Sequence, residues 1–489
     1  MAGKILTAFL FAVLGAFFGG NRIFSLVPLS ALACAAFSVS LLSDSRGGLG
    51  ILSRFPPFWI GMLFLAHLAV QTSNVWFVYE PHGLYNTSGQ VPFCEFLPAG
   101  VHSGIKEFDS AWETFLKFFL AWVSLCAIRL NLRTRRDCLF FARAIFYSAV
   151  VISAAAAAYQ TLWPQSHMIW GIFDRNLGVP YGGFFYKNQM GAYMILCGTC
   201  GLALFARALC KRERGRDLFL PAAGLALLSG SLLMSGSFGA LCVWGAEALV
   251  AAAAFSAVFA IRGGSVKRLA LIFAACLAAL CVAAAAAAPL LAESAVGKRI
   301  ERAFDGGGGF AEMAGKRGEF RMLARDMIKN CGTVDCRYRS GDISRAILGN
   351  GANSFAYISR IWPKDVSYGM SEYSAAPDTL RLTVLENAHC DILQFLFEYG
   401  ALWFAVAAGM LIFWLAALFR RGALSRPFAL VLAIGVLSVL FYSYFDIILY
   451  NAVVLTFFLT LAAMANEYLR LSENGGRPHC KCSQTISGR

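Results

Sequence analysis

Charge is scarce in this chain. Only 14% of its 489 residues are Asp, Glu, Lys or Arg, against roughly a quarter in a soluble globular domain, which excludes an ordinary water-soluble fold. The sequence has no phosphate-binding loop of the G-x-x-x-x-G-K-[ST] type, no dinucleotide fingerprint and no metal-ligand spacing, so chemistry driven by ATP within this chain is not expected. No internal repeat is visible, which weakens an inverted-repeat transporter reading. The first apolar run lacks a small-residue cleavage site and reads as a retained helix, not a signal peptide.

What is present is hydrocarbon. Fifty-eight per cent of the residues are hydrophobic, and apolar runs recur near the ~20 residues that cross a ~30 Å hydrocarbon core. The expected fold is an all-α polytopic membrane protein with twelve spans, at about 5–20, 24–42, 56–73, 111–128, 138–160, 189–209, 218–234, 238–261, 268–291, 399–419, 427–445 and 447–466. This divides the chain into spans one to nine over 1–291, a large and partly helical loop over 292–398, spans ten to twelve over 399–466 and a tail over 467–489.

The net charge of +14 sits in short loops: Arg129, Arg133, Arg135 and Arg136; Lys211, Arg212, Arg214 and Arg216; Arg262, Lys267 and Arg268; Arg420, Arg421 and Arg426. Short basic loops stay on the cytoplasmic side, so this charge reports orientation and not nucleic-acid binding. With both termini cytoplasmic, every basic cluster falls inside. The segments 74–110, 163–188, Ser235-Gly236-Ser237, 292–398 and a turn near Asp446 then fall outside. Trp76, Phe77, Tyr79, Trp112, Trp163 and Trp170 flank those outer segments as an aromatic belt.

Most of the 15 cysteines lie in apolar runs, where Cys acts as a small hydrophobe. Cys331 and Cys336 are close enough in sequence for a small disulfide loop in an oxidising compartment, and two free thiols suit the spacing equally. His479, Cys480 and Cys482 in the tail are too few for a structural zinc site.

Three stretches carry candidate chemistry. In the predicted helix from Lys316 to Asn330, Arg317, Arg321 and Arg325 recur every four residues, beside an apolar face of Phe320, Leu323 and Met327. Guanidinium forks there suit phosphate oxygens; contact with lipid headgroups is the alternative. In ENAHCDILQFLFEYG, Asn387 is expected to cap a helix with His389 and Cys390 in its first turn. Histidine can serve as a neutral base near neutral pH. Asp391, Gln394 and Glu398 form a polar stripe turned from His389. A central Asp costs about 2.5–3.5 kcal/mol on insertion scales, so this stripe should face the bundle interior and hold the loop or line a cavity. In GVPYGGFFYKNQMGAY, Lys187 and Asn188 should open a helix whose free amides favour an anion; a snorkelling lysine is the bland alternative. His67 and Glu247 lie inside spans without an evident partner, and Tyr442, Tyr444, Asp446 and Tyr450 suit an interfacial belt, a cavity lining or an acceptor contact, with belt the default.

AHCDILQFLFEYG is similar to the H-N-x-x-L-Q-x-x-x-E-x-G signature of the O-antigen ligase and polymerase superfamily of bacterial membrane glycosyltransferases, matching at His389, Leu393, Gln394, Glu398 and Gly400. KRGEF followed by ILGNGANSF resembles that family's loop pattern at Arg317, Gly349, Gly351 and Phe355, and FFYKNQMGAY resembles its helix-entry pattern. The layout of twelve spans with a long outer loop is ligase-like. The chain departs at Tyr186 and Cys390, where the family has Asn, and at Phe238, where it has Arg after Ser237.

The resemblance implies transfer of a glycan from an undecaprenyl-pyrophosphate carrier to a sugar hydroxyl on lipid A-core or another glycan acceptor. The reaction would need no metal or other cofactor and would take place at the periplasmic face of a bacterial inner membrane. It further implies His389 as the catalytic residue, Arg317, Arg321 and Lys187 on the donor pyrophosphate, and Asn188, Asp391, Gln394 and Glu398 in support. A polymerase of the same superfamily, and a transporter of a small anion or a lipid-linked sugar, are the alternatives.

Overall fold

The computed structural model describes residues 1–17, 19, 22–43, 45–82, 85–90, 94, 97–103, 111–163, 168–174, 181–211, 215–261, 317–329, 343–361 and 387–474. The expected span at 268–291, the glycine run at 306–309, Cys331 with Cys336, and the tail's His479, Cys480 and Cys482 lie outside the described residues.

The chain is mostly helical. Its helices are α1 (Ala2–Leu14), α2 (Ile23–Leu42), α3 (Ser45–Ser53), α4 (Pro56–Ser73), α5 (Ala111–Asn131), α6 (Arg135–Leu162), α7 (Lys187–Cys210), α8 (Arg216–Met234), α9 (Phe238–Ile261), α10 (Arg317–Lys329), α11 (Ile343–Leu348), α12 (Ser354–Ile361), α13 (Asp391–Arg420), α14 (Pro427–Ser443) and α15 (Ala452–Asn474). Among the described residues, 8 helices are long and apolar enough to cross a membrane, or up to 9 if α3 and α4, bent by 72°, count as one span. α1 and α14 are apolar but shorter. A small sheet adds to the expected all-helical fold: β1 (Val75–His82) pairs antiparallel with β2 (Tyr85–Gln90) and parallel with β3 (Gly100–Ser103).

Local chemistry sets several helix ends. Thr134 and Asp137 form a reciprocal capping box that opens α6. Pro56 and Pro427 occupy the first turns of α4 and α14, where a missing N–H costs nothing. Asn451 accepts the amides of Val453 and Val454, each at 3.0 Å, and so starts α15.

One apolar core runs through α1, α2, α5–α9, α14 and α15, with Phe11, Phe141, Phe146, Tyr193 and Phe457 among its fully buried side chains. At one end of this bundle, Lys4 pairs with Asp137, Arg129 lies 3.5 Å from Glu467, and Arg135 donates to the carbonyls of Leu471 and Ser472 at 3.3 and 3.0 Å. The last span was expected to end at 466. Instead α15 continues to Asn474, because Glu467 and the carbonyls beyond it are bound to α5 and α6.

The feature that positions the site is a break in α13. Gly400 has φ 78° and ψ 174°, non-helical values inside an otherwise helical run. The break strands the carbonyls of Phe397 and Glu398, and a second chain segment takes them. Asn350 donates its amide to Phe397 O at 3.1 Å and its side chain to the same oxygen at 3.0 Å, while Gly351 donates to Glu398 O at 3.0 Å. From α4, Gln71 Nε2 reaches the carbonyls of Glu398 and Leu348 at 3.3 Å each, and His67 Nε2 lies 3.1 Å from Leu348 O. Broken helices survive at membrane depth only when neighbours satisfy the freed backbone in this way. His67 therefore gains a partner that its sequence context does not reveal.

The two chains cross almost backbone to backbone. A Cβ on Gly400 would sit 2.3 Å from Ile347 O, and one on Gly349 would sit 2.2 Å from Glu398 O. Gly400→Ala should destabilise the protein by roughly 2 kcal/mol or more, from overpacking added to a positive φ. Gly409→Ala, whose Cβ meets nothing within 4 Å, should not. Thermal unfolding of the two variants in detergent, followed by loss of the monodisperse peak, makes the comparison.

Candidate active site

Asn387 was expected to cap the helix and bring His389 into its first turn. The cap is Cys390 and the helix starts at Asp391, so His389 lies just before it, at φ 47°. A positive φ on a non-glycine residue is uncommon and needs support from surrounding contacts. The support is visible. Ala388 donates its amide to Gln394 Oε1 at 3.1 Å, which folds the 387–390 turn back on the helix. Asp391 accepts the amides of Ile448, Leu449 and Tyr450 at 2.9, 2.8 and 3.3 Å. That clamps the helix start to the turn between α14 and α15.

The expected polar stripe is thus a set of braces. Glu398, with no solvent exposure, accepts from Gln394 Nε2 at 3.1 Å, from the Phe355 amide at 3.4 Å and from the Tyr450 hydroxyl. Together these bonds fix the segment that carries His389.

The centre of the site is Asp446, wholly buried. Its carboxylate takes His389 Nδ1 at 3.1 Å, the Tyr186 hydroxyl at 3.0 and 2.9 Å on its two oxygens, Asn188 Nδ2, and the Ile447 amide at 2.8 Å. Asn188 in turn accepts from Ser237 Oγ at 2.6 Å. Side chains from the start of α7, the α8–α9 turn, the turn before α13 and the turn after α14 therefore meet here. An ionised carboxylate can only accept, so Nδ1 is the donating nitrogen of this pair, and a neutral ring so held has its lone pair on Nε2. This is the arrangement by which a buried acid orients a histidine base.

α10 covers the imidazole. Phe320 stacks on the His389 ring with centroids 5.4 Å apart and planes at 26°. Leu323, Ala324 and Met327 bury against Phe355, Ile358 and Phe397, so the apolar face of α10 rests on protein. One residue after Phe320, the Arg321 guanidinium lies 5.8 Å from the centre of the Tyr444 ring and 5.6 Å from that of Phe445, on the two residues leading to Asp446. Arg325 Nη2 donates to the Tyr444 hydroxyl at 3.0 Å. Arg317 is the first residue of α10; its side chain lies outside the described part. Lys187 is half-buried in the first turn of α7, beside Asn188.

The structure thus gathers His389, Arg321, Asn188, Asp391, Gln394 and Glu398 at one end of the bundle, opposite the Arg129–Glu467 end. Glu247 stands apart, with Oε1 bound by Thr199 Oγ1 at 2.6 Å between α7 and α9. Asp446 and Tyr450, for which interfacial belt was only the default among three readings, are bonded members of the site. Tyr186, which replaces the asparagine of the resembled pattern, contributes its hydroxyl to the same carboxylate. The signal available for Asp446 was an isolated acid in a short turn between two apolar runs, a position where only a bonded or solvated carboxylate is stable.

No protein-family model matches the chain, and no curated protein matches it in sequence.

Cys390 packs directly behind His389 with no solvent exposure. Burial pushes its thiol above the ordinary range, so at neutral pH it is protonated and poorly nucleophilic. Maleimide labelling of the native protein followed by peptide mapping should modify the exposed Cys94 and spare Cys390 until the protein is denatured.

Proposed function

We propose that the chain is a membrane glycosyltransferase that moves a glycan from an undecaprenyl-pyrophosphate carrier to a sugar hydroxyl, as the ligase-like motifs imply. The observation that carries this reading is the Asp446-oriented His389 with the Arg321 guanidinium on the adjoining aromatic pair. In the reaction, the acceptor oxygen attacks the anomeric carbon while the bond from that carbon to the diphosphate oxygen breaks. The acceptor proton passes to His389 Nε2, and the resulting imidazolium is stabilised by Asp446. Negative charge grows on the departing lipid diphosphate, where Arg321, Arg317 and Lys187 supply the cations.

The finer topology belongs to the same proposal: twelve spans, both termini cytoplasmic in a bacterial inner membrane, and the site at the periplasmic face. It is supported by the separation of the basic clusters around Arg129 and Arg135 from the His389 end. A lipid-borne donor suits a site at the end of an apolar bundle, and an already activated sugar suits a chain without a nucleotide motif. Lipid A-core or another glycan is the acceptor in this reading.

The test is transfer by purified protein supplied with lipid-linked glycan and acceptor. His389→Ala should lower turnover by about 10²–10⁴. Asp446→Asn should fall by a comparable factor, because the amide no longer enforces the Nδ1–H tautomer. Arg321→Lys should retain more activity than Arg321→Ala. Wild-type turnover by a folded His389→Ala protein would overturn the assignment.

A further inference from the structure

α5 carries a lysine that the site above does not use. Lys117 is only 6% exposed. Its Nζ lies 5.4 Å from the centre of the Tyr450 ring, and among the described residues no carboxylate or other acceptor stands within bonding distance of it. One turn earlier on the same face, Thr114 is 1% exposed. Its hydroxyl sits beside the Tyr450 phenol yet makes no hydrogen bond of good geometry.

Glu398 does not account for the lysine, because it is already taken by Tyr450, Gln394 and the Phe355 amide, and Glu113, one turn earlier on α5, takes the Ile23 amide on its Oε1. A charged side chain in an apolar span is costly and ordinarily marks a partner or a ligand path, and the face of a tyrosine supplies only part of what an ammonium loses on leaving water. An ammonium and a hydroxyl from adjacent turns of α5 therefore converge on Tyr450, four residues after Asp446.

We propose that Lys117 and Thr114 form an anion subsite on the α5 side of Tyr450 that takes the phosphate group of an amphiphile. An ammonium is a compact charge with three rotatable donors and binds phosphate without demanding a forked geometry. The surroundings suit an apolar tail: Phe115 and Phe118 of α5 adjoin a cluster with Phe64, Phe395 and Trp403. The subsite does not depend on glycosyl transfer being the reaction at His389.

The experiment uses full-length protein in neutral detergent, carrying Arg321→Ala so that the arginine site does not compete. Farnesyl phosphate, inorganic phosphate and farnesol are titrated, with binding read by intrinsic tryptophan fluorescence. Farnesyl phosphate should bind saturably, Lys117→Gln should weaken it at least roughly tenfold, and Thr114→Val should weaken it about threefold. Lys117→Arg should stay close to the parent. Lys117-dependent binding of inorganic phosphate with equal affinity supports the subsite and identifies the ion alone as its ligand. Unchanged affinity in Lys117→Gln, or no saturable binding of either phosphate probe, overturns the proposal. Should Lys117→Gln fail to fold, the parent protein decides: equal affinity for farnesol and farnesyl phosphate overturns the subsite. Loss of glycan transfer in His389→Ala with this binding intact keeps the two readings separate.

Discussion

A single buried carboxylate holds the candidate site together. Asp446 collects an imidazole, a phenol, a carboxamide and its neighbour's amide, drawn from segments far apart in the chain. In a medium that supplies no water, an acid of this kind is stable only when its lone pairs are filled. The groups that fill them are the ones that fix the geometry. Take away that carboxylate and His389 loses the acceptor for its Nδ1, Tyr186 and Asn188 lose their common acceptor, and the turn between α14 and α15 loses its inner bond.

The break at Gly400 is the complementary constraint. It frees Asp391–Tyr399 from the axis of the span that follows, so that Asp391 can meet the 448–450 amides while Glu398 meets Tyr450. The cost is two stranded carbonyls, and the 348–351 segment meets them from one side while Gln71 serves the other. The glycines at 349 and 400 are therefore explained by one event, the close crossing of two backbones, while Gly351 makes room for Gly100 and Val101 of β3, 2.5 and 3.0 Å from where its Cβ would sit.

The helices were largely legible in the sequence because lipid-length apolar runs allow few other structures. α2, α4 and α5–α9 begin and end within a few residues of the expected bounds, apart from those set by a cap such as Thr134. The arginine stripe and the His389 motif were legible as local patterns. What could not be read was which distant residue completes them. Asp446 looks like belt when taken alone, since its identity as an acceptor depends on a histidine 57 positions away. The start of α13 was misjudged for a similar reason: Asn387 has the right chemistry for a cap, but Gln394 and Asp391 pull the turn so that Cys390 takes the position. The small sheet around Val75–His82 escaped because its residues carry no strong alternation, even though β1 and β2 form a local hairpin with His82 opposite Tyr85.

Asn451 donates to Gly19 O at 2.7 Å, joining the start of the last helix to the chain just beyond the first. Since that bond and the Asp446 cluster both need residues near 450, the ribosome must release almost the entire protein before any of the site can assemble. Earlier spans must wait in the bilayer with their polar ends unmatched, at the mercy of the insertion machinery and of quality-control proteases. A message cut short anywhere upstream would leave a bundle of inserted helices without the cluster around Asp446.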